Sequence, residues 1–115
     1  MRVMIKSKIH RARVTDTDID YEGSITIDRS LMEAADIVAY EQVHVLNINN
    51  GARFTTYALE GEKGEICLNG AAARLVVKGD IVLVFAYGHI EDEQLVSFSP
   101  KLVYVDDKNN IIKTK

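Results

Sequence analysis

Val43-His44-Val45-Leu46-Asn47-Ile48-Asn49-Asn50-Gly51-Ala52-Arg53-Phe54-Thr55-Thr56-Tyr57-Ala58-Leu59 holds two apolar-patterned runs around an Asn-Asn-Gly break. The runs are short and rich in β-branched and aromatic residues, as strands are. Asn49-Asn50-Gly51 supplies residues that accept positive φ in a tight hairpin. The spacing therefore predicts strands over Val43 to Ile48 and Arg53 to Leu59. Strand alternation puts Arg53, Thr55 and Tyr57 on one face, and Phe54 and Thr56 on the other.

The same grammar extends outward. Residues 3–14 alternate as a strand, with Lys6, Lys8 and His10 on one face and Ile5, Ser7 and Ile9 on the other. Ile25-Thr26-Ile27 is a second short strand. Gly61-Glu62-Lys63-Gly64 is a turn ahead of a strand from Glu65 to Leu68. Asp80 to Tyr87 is a continuous apolar run, expected to be a fully buried strand. Leu102 to Val105 follows Pro100 as a last strand, and the polar tail from Asp106 frays unless Ile111 and Ile112 pair. The best helix spans Ser30 to Val38. Ser30 with Glu33 fits a capping box, and Leu31, Ala34, Ala35 and Val38 form an apolar stripe. Short strands with one or two short helices predict a mainly β fold, a small barrel.

The chain has 115 residues, which suits one domain over 1–115 with one core. Hydrophobic residues at 47% and charged residues at 27% exclude a disordered chain. A net charge of −3 with no basic face argues against nucleic acid as a partner. No signal peptide and no apolar run of membrane-helix length is visible, so the chain reads as cytoplasmic, with no membrane partner. The lone Cys67, in Glu65-Ile66-Cys67-Leu68, reads as a half-buried structural thiol. No metal, pyridoxal phosphate or nicotinamide motif is visible.

Four clusters carry chemistry-capable groups. Gly23-Ser24 joins a conformationally permissive residue to a hydroxyl that becomes a nucleophile only when activated. Alone it reads as a plain turn or a helix cap. Lys8 and His10 offer a point charge for a carboxylate and a proton carrier near neutral pH, on what is otherwise a solvated strand face. Arg53 can hold a carboxylate through two parallel hydrogen bonds, and the Tyr57 phenol, with a pKa of about 10, can give up a proton as an acid. Alternation places Thr56 and Tyr57 on opposite faces, so bringing both to one site needs a twist, a bulge or a second subunit. Asn69-Gly70-Ala71-Ala72-Ala73 reads as a capped helix start with exposed N–H groups suited to an anion, or as an ordinary turn of helix.

In this order and spacing, four stretches together resemble the aspartate 1-decarboxylase family: Ser7-Lys8-Ile9-His10-Arg11-Ala12, Tyr21-Glu22-Gly23-Ser24-Ile25-Thr26-Ile27-Asp28, Asn49 to Tyr57, and Asn69 to Ala73. The resemblance runs from the N-terminus to about Val105. Thr55 stands where the family often has serine, and the tail after Asp106 is short and lysine-rich. The resemblance implies a double-psi β-barrel, a homotetramer, and active sites between neighbouring subunits. It implies a proenzyme that cuts itself between Gly23 and Ser24, giving a β chain of residues 1–23 and an α chain of residues 24–115. Ser24 would become a covalent pyruvoyl group, the only cofactor, which forms a Schiff base with L-aspartate. Loss of CO2 then gives β-alanine for pantothenate and coenzyme A synthesis. By the same resemblance Tyr57 is the proton donor and Thr56 supports processing. Arg53 and Lys8 hold substrate carboxylate. Asn69, Gly70, Ala71 and Ala72 surround the substrate, and His10 and Tyr21 lie near the site. The need for a maturation factor stays open. Two other readings compete: a binding module that never processes, and a hydrolase that uses a freed N-terminal Ser24.

Overall fold

The computed structural model describes residues 1–115. It contains nine strands: β1 (Arg2–Arg13), β2 (Asp16–Asp18), β3 (Ser24–Asp28), β4 (Gln42–Asn47), β5 (Arg53–Gly61), β6 (Ile66–Asn69), β7 (Ile81–Ile90), β8 (Lys101–Val105) and β9 (Ile111–Thr114). One α-helix, α1 (Arg29–Ala35), and two short 3₁₀ segments, Gly70–Leu75 and Asp92–Gln94, complete the chain. The architecture is mainly β, as the sequence predicts.

The strands form one sheet in the order β2-β6-β3-β5-β4-β7-β1-β8-β9. β2 follows β1 after only Val14 and Thr15, so one run of chain serves two distant places in the ladder. Between them, Thr15 N–H donates to the Ile66 carbonyl at 2.8 Å, and Val14 N–H donates to the Asp80 carbonyl at 2.8 Å. The sheet thus curls into a barrel-like form. Inside it lies a cluster of 20 buried apolar residues, including Ile9, Ile25, Ile27, Val43, Val45, Leu68, Val82, Val84 and Val103.

β1 shows how alternation builds that core. Ser7 and Ile9 are buried, whereas Lys8 and His10 face away. At Arg11 the backbone turns left-handed (φ 67°) and the register with β7 shifts between Ile9 and Ala12. This bulge resets the phase, so Ala12 and Val14 also point inward. The hairpin of β4 and β5 forms as expected, but only Gly51 takes positive φ, at 77°. Asn50 works through its side chain, whose Oδ1 accepts from Ala52 N–H at 2.8 Å, and Asn49 Oδ1 accepts from Ile81 N–H at 2.8 Å.

Several expectations are corrected. The helix starts earlier, capped by Asp28 rather than Ser30, and ends at Asp36 in the left-handed region. Val38 lies beyond it and is 64% exposed; Leu31, Met32 and Ala35 make the buried stripe. β7 is not buried on both faces: burial alternates from Ile81 to Ala86, and the strand runs on to Ile90. Asp16–Asp18, to which the sequence assigns no element, is a strand paired in parallel with β6. The tail takes the paired alternative: Ile111 lies opposite Val105 as β9 joins β8.

Asp28 explains the early helix start. Its Oδ1 accepts from Ser30 N–H and Ser30 Oγ–H, both at 2.7 Å, and its Oδ2 accepts from Gly64 N–H at 2.7 Å. Burial pushes its pKa up, but the Gly64 and Ser30 bonds, with Lys63 nearby, outweigh this and hold it below the ordinary 3.8. A carboxyl whose folded pKa is depressed stabilises the fold above the ordinary value, and that stability is lost as pH falls through the folded value. Asp28→Ala is expected to cost about 2 kcal/mol at neutral pH. In urea titrations the gap to the parent chain should close in acid; a gap constant with pH would show that the charge contributes nothing.

Candidate active site

β3 brings Ser24 to the centre of a three-strand neighbourhood. On one side it pairs directly with Asn69 of β6. On the other, the parallel ladder begins at Ile25 opposite Ala58, which sets Ser24 level with Tyr57 of β5. Ser24 is fully buried (0% exposed), a place where a hydroxyl needs partners. Asn69 Nδ2 donates to Ser24 Oγ at 2.8 Å, and Ser24 Oγ–H donates to the Glu22 carbonyl at 3.4 Å. Asn69 Nδ2 also donates to Thr26 Oγ1 at 3.0 Å, while Asn69 Oδ1 accepts from Cys67 Sγ–H at 3.3 Å.

The Asn69 side chain therefore does not cap the segment after it. That segment is a single 3₁₀ stretch, Gly70–Leu75, too short for the helix-start field the sequence suggests. What it supplies is close approach. Gly70 is left-handed (φ 64°), and a Cβ there would lie 2.7 Å from Gly23 Cα, 2.8 Å from Gly23 N and 3.0 Å from the Tyr21 carbonyl oxygen. Only glycine lets the 21–23 segment sit on this backbone. Gly70→Ala is expected to lower stability by about 2 kcal/mol, because backbone atoms must move and a non-glycine residue must hold positive φ. Calorimetry checks this; an unchanged melting temperature would show the 21–23 segment to be free of Gly70.

Gly23, Phe54, Thr55, Thr56, Tyr57, Ala71, Ala72 and Leu75 line one open cleft of about 360 Å³. A single chain thus brings Thr56 and Tyr57 to the same recess as the Gly23–Ser24 junction, despite their alternation. Nothing lies within 4 Å of the position a Cβ would take on Gly23, so that side of Gly23 is open. The Tyr57 ring stacks on Tyr40, with centroids 6.3 Å apart. The Tyr21 side chain is exposed; its backbone, not its ring, meets Gly70.

Lys8, His10 and Arg53 do not line that cleft. Arg53 borders a separate recess with Leu46, Asn47 and Leu83. Direct pairings connect Lys8 to Phe85, Phe85 to His44 and His44 to Thr55. Lys8 therefore shares the outer face with Arg53, Thr55 and Tyr57, three strand spacings (about 14 Å) from Thr55. Lys8 Nζ lies 5.3 Å from the centre of the Phe85 ring. Neither Lys8 nor Arg53 has a carboxylate partner, in contrast to Lys6, which is paired with Glu41 at 2.6 Å. Burial, then the charges of Lys8 and Arg11, holds the His10 imidazole below its ordinary 6.5, and its buried Nδ1 has no partner. The chain has no group of three or more His, Cys, Asp or Glu residues arranged to hold a metal. No helix is long and apolar enough to cross a membrane.

Sequence reasoning missed Thr26 and gave Cys67 no part beyond packing. The signal is a register: Ser24 pairs with Asn69 and Thr26 with Cys67, so all four share one face of β3 and β6.

A barrel-like β protein with a buried serine at an unobstructed glycine junction, beside a tyrosine-lined cleft, is the class that fold and site define. Residues 1–112 match the family model described as aspartate decarboxylase. The chain belongs to the aspartate decarboxylase family. It is 58% identical over 114 residues to the aspartate 1-decarboxylase of Dehalococcoides mccartyi, covering 97% of this chain and 92% of the relative. It is 58% identical over 110 residues to that of Thermoanaerobacter pseudethanolicus (94% of each chain). With that of Hydrogenobaculum sp. it shares 54% over 114 residues, 99% of this chain and 91% of the relative.

Proposed function

We propose that this chain is a proenzyme that cuts itself between Gly23 and Ser24 and then decarboxylates L-aspartate to β-alanine and CO2, the supply step for pantothenate. The observation that carries the reading is the Ser24 hydroxyl, buried and held at 2.8 Å by Asn69 beside the open Gly23 junction. Family membership supports the decarboxylation.

The cut balances within the chain's own atoms. Ser24 Oγ adds to the Gly23 carbonyl carbon; the C–N bond breaks, and the hydroxyl proton ends on the Ser24 nitrogen. Loss of the Ser24 α-proton then breaks Cβ–Oγ, and Oγ leaves as the carboxylate of Gly23. Water replaces the nitrogen, which departs as ammonia, and residue 24 becomes a pyruvoyl group. Asn69 donates to Oγ, so its N–H meets the charge that gathers on this atom when it leaves as a carboxylate oxygen. Thr56, on the cleft wall, supports this processing.

The pyruvoyl ketone supplies an electron sink for the bond to CO2. The surroundings fit such a group: Gly70 makes room for the junction, and Ala71 and Ala72 leave the cleft wall unencumbered. Tyr57 delivers the proton that replaces CO2. Lys8 and Arg53, free of carboxylate partners, bind the substrate's carboxylates. Neither lines the Gly23 cleft of its own chain, a gap that a neighbouring copy in a homotetramer would close. Tyr21 borders the site through its backbone, and His10, beside Lys8 on β1, would reach it from a neighbouring copy.

Mass spectrometry of the purified protein tests the reading. Fragments 1–23 and 24–115, the second with a blocked terminus, are expected, together with β-alanine formation from L-aspartate. A 24–115 fragment with a free serine amine would support the hydrolase instead. A chain that stays whole and inactive would support the binding module.

A further inference from the structure

We propose that Thr26 is a positioning residue for self-cleavage: its hydroxyl, opposite Cys67, fixes the Asn69 amide so that one N–H points at Ser24 Oγ. The proposal rests on the reading of Ser24 as the cleavage nucleophile.

The geometry is a closed set of contacts. Asn69 is 3% exposed, so its amide must find its partners inside the protein. It has two N–H donors and one oxygen. Its nitrogen donates to Ser24 Oγ at 2.8 Å and to Thr26 Oγ1 at 3.0 Å, and its oxygen accepts from the Cys67 thiol at 3.3 Å. Each end of the amide is occupied. Rotation about the Asn69 Cβ–Cγ bond would break all three contacts together.

Thr26 is itself held. A Cβ added to Gly61 would come within 2.6 Å of the Thr26 methyl, so that methyl lies against bare backbone of β5. A β-branched side chain has few χ1 choices, and seating the methyl fixes the hydroxyl. Here the hydroxyl is turned towards Asn69. Burial, then the charges of Asp16, Glu65 and Asp18, pushes the Cys67 thiol above its ordinary pKa and keeps the S–H in place as a donor. The orientation of the amide decides which charge the reacting oxygen meets. With N–H towards Ser24, the oxygen that leaves as a carboxylate is met by a donor; with the amide oxygen there, it is met by an acceptor.

Thr26→Val keeps the shape and removes the acceptor. A time course of 24–115 fragment formation, read by mass spectrometry on freshly purified precursor, is expected to slow about ten- to a hundredfold, the scale of a misplaced reacting group. Thr26→Ser should return most of the rate, whereas a purely structural role for the methyl would make Val the better substitute. A Thr26→Val chain that cuts at the parent rate overturns the proposal. So does a crystal structure of that variant with the Asn69 amide unmoved, which decides the question even if the parent chain proves not to cut. A parent chain that never cuts overturns the self-cleavage reading and leaves the amide-orientation result to stand by itself.

Discussion

Ser24→Ala is expected to give a whole chain of unchanged fold with neither cleavage nor β-alanine formation. The variant removes one atom from the chemistry, the Oγ that forms the ester. Alanine at a fully buried position adds no volume, so the barrel has no reason to rearrange. The cost to stability is the loss of the Asn69 contact, about 1 kcal/mol for one hydrogen bond. The two readouts should vanish together, because in the proposed mechanism the same side chain starts the cut and becomes the electrophile. Intact-mass measurement and an assay for β-alanine check both. Cleavage that persists in this variant would end the self-processing argument, and activity that persists without cleavage would end the pyruvoyl argument.

Tyr57→Phe is expected to separate the two events. The phenol is not needed for an N-to-O shift at residue 24, so the fragments should appear at the parent rate. Decarboxylation should then fall by about a hundredfold or more, the usual contribution of a positioned acid. The ring itself stays, along with its stacking on Tyr40, so binding suffers less than turnover. The expected signature is a drop in kcat with KM little changed. Single-turnover assays on fully cut protein measure it directly. Unimpaired turnover would pass the proton-donor role to another group.

The strands were legible because period-two patterning and glycine-rich turns are local signals. The hairpin at Asn49-Asn50-Gly51 and the inward face of β1 both follow from them. The helix cap was not, because Asp28 and Ser30 are both able caps and the choice is made by Gly64, distant in sequence. β2 was not, because an exposed acidic run becomes a strand only through its ladder to β6. In the candidate site, Gly23-Ser24, Tyr57 and Asn69-Gly70 were visible as motifs. The use of Asn69 as a donor to Ser24 was hidden, since it depends on the register of β3 against β6. Thr26 was hidden for the same reason, and the placement of Lys8 and Arg53 on the outer face depends on four aligned strands.

The two-residue passage from β1 to β2 gives the proposed cut an unusual outcome. The released peptide would carry both strands, clasped by β7 and β8 at one end and by β6 at the other. Severed from its parent, it would remain embedded as a guest strand, and a one-piece molecule would become a complex of two. Its integrity then answers to mass action: dilution, not only heat, can unmake it. The severed state also keeps a memory. The junction is assembled by residues distant in sequence, so under the proposed mechanism only a folded chain would cut, and each blocked terminus would be a permanent receipt of correct assembly.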